Sequence, residues 1–189
     1  VNVDEHLLEA LGLQPAQGRL FARGETDRTT PAAPLPPVAV LSHELWQSAS
    51  GGQPLVGQTV EVNSIRREVI GIMPPGADVM DYRTEIWLPL GLSPLNPGDR
   101  RAHRVRLIGR LKDQATVATA QAELETLNQQ CGERVGVTEH MFAPMPADAA
   151  ARASNPDAGH VLQMVPLHDQ IVGGASRAIW MLQATAGFV

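Results

Sequence analysis

The sequence predicts a mixed α+β fold, with small mixed sheets packed against a few helices. Three observations carry that expectation. Apolar and polar residues alternate over Thr59–Asn63 and Arg104–Leu111, the period of a half-buried strand, and Arg67–Met73 follows the first of these as a second strand. Val38–Leu41, Glu85–Leu90 and Val161–Val165 are short apolar runs of strand length. Val117, Ala120, Leu124, Leu127 and Cys131 recur at spacings of 3, 4, 3 and 4, which makes one helical stripe.

The elements follow in order. Asp4 is placed to cap a short helix carrying Leu7, Leu8 and Leu11, with Gly12 as its stop. Residues 23–37 are polar and proline-rich and read as a loop. After the Val38–Leu41 strand, Ser42 is an N-cap for a helix over His43–Ala49, and Gly51–Gly52 ends it. Thr59–Asn63 and Arg67–Met73 form a hairpin turning over Asn63–Arg66. Pro74–Pro75–Gly76 stops its second strand. Gly91–Arg101 is a loop. Thr116 caps the long helix and Gly132 is its expected stop. Residues 142–160, rich in Ala, Pro, Asp and Asn, read as an exposed excursion. From Ala175 the pattern is helical and increasingly apolar.

Composition narrows the function classes. The 189 residues suffice for one medium domain or two small lobes with a core. Aromatic residues are 4% of the chain, so that core rests on Val, Leu, Ile and Ala. A net charge of −5 disfavours non-specific nucleic-acid binding, which needs a basic footprint. A single cysteine, Cys131, excludes an internal disulfide; on an apolar stripe it reads as a small core residue. No signal-peptide pattern opens the chain, and both ends read as cuts from a longer protein.

Catalytic and metal readings find little support. The six histidines are scattered, without an i, i+4 pair or an HExxH run. Ser42 lacks the flanking glycines of a nucleophile elbow, and an N-cap role accounts for it. No GxxxxGK[ST] loop is present, so ATP falls to another chain or domain. The expectation is no catalytic residue, no cofactor and no metal.

Six short motifs stand in collinear order. They are Leu11–Phe21 (LGLQPAQGRLF), Val38–Trp46 (VAVLSHELW), Gly52–Val60 (GQPLVGQTV), Glu68–Gly76 (EVIGIMPPG), Ile86–Leu90 (IWLPL), and Gly109–Lys112 followed by Ala120–Leu124. Together they resemble the MacB-like periplasmic core domain of FtsX/MacB-type ABC-transporter permeases, in the subgroup built from duplicated permease units. The chain departs from the family pattern at Asp113–Gln114 (usually Pro-Gly), at Asn63–Ser64 (usually Asn-Gly) and at Ser50 (commonly Phe).

The resemblance implies a fold in two lobes, with the N-terminal part of the domain missing. It implies an extracytoplasmic domain over 1–174, on the periplasmic side of the inner membrane between two transmembrane helices. The domain would couple ATP hydrolysis by a cytoplasmic partner to work on an external substrate, such as efflux or lipoprotein or peptide handling. Expected partners are an ABC ATPase subunit, a second permease copy and the membrane through flanking helices, with no nucleic acid. The alternatives are a stand-alone exported binding or adaptor module and a small exported hydrolase.

Two surfaces are candidates. Residues 178–189 (AIWMLQATAGFV) carry no charge but are too few to span a bilayer, which takes about 20. With the resemblance, residues 175–189 read as a stalk and the start of a transmembrane helix. Arg177 would lie at the headgroups and Trp180 at the interface. An ordinary buried C-terminal helix is the plainer alternative. A chain ending near Gly174 is expected to keep its melting temperature; a large drop would make the tail part of the core. The basic stripe Arg104, Arg106 and Arg110 is a candidate contact for an acidic partner, lipid headgroups or an anionic substrate. The solvated outer face of an antiparallel sheet is the favoured reading of it.

Overall fold

The computed structural model describes residues 1–30, 33–78, 83–92, 105–135 and 162–172. The chain divides into two compact units, Val1–Arg110 and Leu111–Val189. The 142–160 excursion and the 175–189 tail lie outside the described residues.

The first unit is built on one six-stranded mixed sheet. Its strands are β1 (Asn2–Val3), β2 (Gln17–Gly18), β3 (Val38–Leu41), β4 (Thr59–Val62), β5 (Ile65–Ile72) and β6 (Ile86–Pro89), with helices α1 (Leu7–Ala10) and α2 (His43–Ser50). The order is β1-β6-β3-β5-β2, with β4 beside β5. β5 is the hub. One edge pairs in parallel with β3, while the other takes β4 over its first half and β2 at its end, both antiparallel.

That second edge of β5 satisfies its backbone groups in turn, as a buried strand must. Val69 exchanges bonds with Gly57 and Gln58, and the carbonyls of Ile70 and Ile72 accept from Arg19 and Ala16. The β3 register skips Ile70: Ala39 faces Val69, but Val40 faces Gly71. This bulge lets Val69 and Ile72, three residues apart, join the same core cluster.

The sheet buries both faces. One carries Val3, Leu8, Phe21, Val40, Ile70, Met73 and Trp87, under α1 and the 13–21 segment. The other carries Ala39, Leu41, Val69 and Ile72, under Trp46 and Leu45 of α2. All four residues of β3 are buried, which explains its continuous apolar run.

Local signals set the helix ends. The Ser42 side chain accepts from Leu45 N–H at 3.0 Å, and Gly51 closes α2 at φ 62°. Asp4 Oδ1 accepts from the N–H groups of His6 and Leu7 at the start of α1. Residues 23–30 are more firmly held than their loop-like composition implies. Thr26, fully buried, accepts from Glu5 N–H and donates to the Glu5 carboxylate, and its carbonyl accepts from Gly91 N–H at 2.7 Å. Gly24 N–H donates to the same carboxylate.

The hairpin turn is tighter than expected, two residues in place of the predicted four. Asn63 and Ser64 both have positive φ, 51° and 61°, the geometry that matches the twist of the flanking strands. Ser64 thus occupies the left-handed conformation that glycine normally supplies at this position. Ser64→Gly is expected to raise stability by about 0.5–1 kcal/mol, the relief of a left-handed L-residue offset by the entropy of a new glycine. Chemical denaturation checks this; an unchanged or lower midpoint contradicts it.

In the second unit the predicted helix is α3 (Val117–Val135); of its apolar stripe, Val117 and Leu127 are exposed and the side chain of Cys131 lies outside the described residues. Thr116 and Thr119 cap its start reciprocally, each hydroxyl accepting the other's N–H at 3.0–3.1 Å. Gln114, where the resemblance leads one to expect glycine, again takes a positive φ of 67°. The helix runs past Gly132, the predicted stop, to Val135. A lone glycine costs only about 1 kcal/mol in a helix and does not by itself end one.

Two predicted strands are corrected. Residues 105–111, the described part of Arg104–Leu111, form no strand, and Leu107 is 80% exposed. Residues 162–165 of the Val161–Val165 run also form none. Alternation marks a segment able to pair, but a strand requires a neighbour, and no described strand lies beside either. The second run is held by a side chain. Gln121 on α3 donates to Leu162 O at 3.0 Å and accepts from Met164 N–H at 2.7 Å. A helical turn at 167–172 follows.

Candidate functional site

The motif residues do structural work in the first unit. Gly18 and Gly71 face each other across β2 and β5. A Cβ on Gly18 would meet Ile70 O at 2.2 Å, and one on Gly71 would meet Arg19 O at 2.2 Å. Arg19 forms a fork with Glu25, at 2.7 and 2.8 Å, and Ala22 N–H donates to the same carboxylate. Phe21 enters the core. Trp46 donates its indole N–H to Gln53 O at 2.8 Å, tying α2 to the following loop. Ser50 donates to Trp46 O at 2.7 Å in place of a packed aromatic ring.

These contacts shift two carboxyl groups. The Arg19 guanidinium, then Ala22 N–H, hold the Glu25 carboxyl below its ordinary value of 4.5 against partial burial. Glu44 is lowered by its own N–H and by that of Gly76 in the Pro-Pro-Gly turn. A lowered folded-state value stabilises above the unfolded value and loses that contribution as pH falls through the folded one. Acidification below about pH 4.5 is therefore expected to remove the Arg19–Glu25 contribution, about 1 kcal/mol or less for so exposed a pair. Glu25→Gln is expected to flatten that part of the stability–pH curve. An identical acid limb in wild type and variant contradicts it.

The predicted partner and membrane residues fall as follows. Arg110 Nε donates to Ala10 O at 3.1 Å, capping a free carbonyl at the end of α1. Arg106 lies in the irregular 105–110 segment and is not without an interaction. Arg104, Arg177 and Trp180 lie outside the described residues. The stripe is thus not the face of a sheet where it is described.

An open groove of about 700 Å³ lies where β3 begins. Val38 and Pro37 form one side, and Thr59, Glu61, Arg66 and Glu68 of the hairpin form the other. Cross-strand pairing, Thr59 with Glu68 and Glu61 with Arg66, puts these four side chains on one face. On sequence alone none of these four residues is a candidate, and Arg66 falls in the expected Asn63–Arg66 turn. The signal available was Pro36–Pro37, which halts β3 while β5 runs on.

Among the described residues, no group of three or more His, Cys, Asp or Glu side chains is placed to hold a metal ion. His6 lies 3.6 Å from Glu5, and His168 lies 3.4 Å from Asp169, both exposed. His43 packs edge-on against Trp46 at 5.4 Å. No described helix is long and apolar enough to cross a membrane.

The model of one protein family, the MacB-like periplasmic core domain, matches residues 1–127. Among solved structures, the periplasmic region of MacB from Actinobacillus actinomycetemcomitans is similar at 20% identity and a TM-score of 0.46. The similarity covers 68% of this chain and 54% of that one, so the chain spans about half the length of that structure. No curated protein matches the chain.

Proposed function

Because the chain belongs to the MacB-like periplasmic core domain family, whose model matches residues 1–127, we propose that it is the extracytoplasmic domain of an ABC-transporter permease. The family match is the observation that carries this reading. The roles of Gly18, Arg19, Phe21, Trp46 and Gly71 support it, because the residues that make the motifs recognisable also build the fold.

In this reading the domain is not an enzyme. It lies on the periplasmic side of the inner membrane and transmits motion between an external substrate and a cytoplasmic ABC ATPase subunit. A second permease copy faces it in the full protein. The domain extends over 1–174, and residues 175–189 begin a transmembrane helix, with Arg177 at the headgroups and Trp180 at the interface. Arg104 and Arg106 are partner-contact residues. Arg110, whose Nε is held by Ala10 O, contributes its remaining donors.

Purification of the full-length gene product from membranes in mild detergent tests this. It is expected to carry an ATP-hydrolysing subunit with it. Recovery from the soluble fraction without ATPase activity would overturn the proposal and favour an exported adaptor.

A further inference from the structure

We infer that the groove between the start of β3 and the β4–β5 hairpin binds an extended peptide segment that carries a basic side chain. The inference stands on the groove itself and does not depend on the transporter reading.

The first ground is an open backbone edge. Val62 and Ile65 close the two-residue turn, so they and Arg67 direct their N–H and C=O groups toward β4. Arg66 and Glu68 direct theirs to the opposite edge. There Glu68 N–H meets Pro37 O at 2.7 Å, and β3 pairs from Val38 onward. Pro36 and Pro37 halt the strand at that point, because proline has no N–H to give. The backbone pair of Arg66 is one register position beyond and meets no strand among the described residues. An incoming extended chain continues the sheet there, as in strand addition.

The second ground is charge. Glu61, Arg66 and Glu68 all line the groove, and none forms an ion pair among the described residues. Among the lining side chains two carboxylates stand against one guanidinium, and Arg19, whose charge also acts on Glu68, is itself paired with Glu25. Glu61 and Glu68 are diagonal neighbours across the pair, roughly 7–8 Å apart by strand geometry. One ammonium or guanidinium group bridges that span. The third ground is shape, since Val38 and Pro37 supply an apolar wall and the volume, about 700 Å³, suits a few residues of peptide.

The test is a titration of the isotope-labelled chain, followed by amide chemical shifts at low ionic strength. The probes are the peptide acetyl-Val-Lys-Val-Lys-Val-amide and its counterpart with Glu in place of Lys. Saturable shifts at the Arg66 and Glu68 amides are expected with the basic peptide only. The double variant Glu61→Gln, Glu68→Gln is expected to weaken binding about tenfold or more, with its melting curve unchanged. Absence of saturable shifts, equal response to both peptides, or full binding by the double variant would each overturn the inference.

Discussion

Replacing Gly71 by alanine is expected to destabilise the first unit by about 3 kcal/mol or more. The added methyl group would lie 2.2 Å from the carbonyl oxygen of Arg19, far inside contact distance. That oxygen belongs to backbone fixed by the bond from Arg19 N–H to Ile70 O, so it cannot swing aside as a side chain would. Either β2 leaves β5, exposing the bonds at Ile70 and Ile72, or the bulge that seats Val69 and Ile72 is lost. Gly18→Ala meets the same obstacle from the other strand, with a left-handed φ of 72° as a further cost. A loss of this size is a large share of a typical domain's stability, about 5–15 kcal/mol. Urea denaturation of both variants checks this. A change below about 1 kcal/mol for either would mean that β2 is not anchored at this crossing.

Trp87→Ala is expected to cost about 3–5 kcal/mol, the range for truncating a buried aromatic ring. Trp87 is 4% exposed and packs in the same cluster as Leu8, Phe21, Val40 and Met73. It stands opposite Val40 in the β3–β6 pair, so its loss empties the space that joins α1 to the sheet. Trp87→Phe keeps most of the apolar volume and is expected to cost about half as much or less. Equal losses for the two variants would show that ring volume is not what matters there.

The elements legible in the sequence are those whose cause is local. Ser42 and Gly51 bound α2 because a capping hydroxyl and a left-handed glycine act within one turn. The β4–β5 hairpin is legible because alternation and a turn lie side by side. β1 and β2 are not legible. Each is two residues long and exists through partners far along the chain, Leu88 and Pro89 for β1 and Gly71 and Ile72 for β2. Arg104–Leu111 misleads for the opposite reason. Its alternation is good, but pairing is a property of two segments, and residues 105–111 have no described neighbour strand.

The groove illustrates the same limit. Glu61, Arg66 and Glu68 look like ordinary solvated positions until the β3–β5 register shows where Pro37 leaves the sheet. Motif glycines are also read more deeply with the structure in hand. Gly18 and Gly71 stand 53 residues apart in sequence, yet each is required by the backbone of the other's strand. Ser64 and Gln114, where glycine is usual, keep the left-handed backbone without it.

The most direct test of the extracytoplasmic assignment is the side of the membrane on which the domain lies. Ile65, 49% exposed beside the hairpin turn, accepts a cysteine without disturbing the core. The full-length protein would carry Ile65→Cys, with Cys131 and any other cysteine replaced by serine. Intact spheroplasts would then be treated with a membrane-impermeant maleimide. Labelling before lysis is the result expected of a domain outside the cytoplasmic membrane. Labelling only after lysis would put the domain in the cytoplasm and contradict the account.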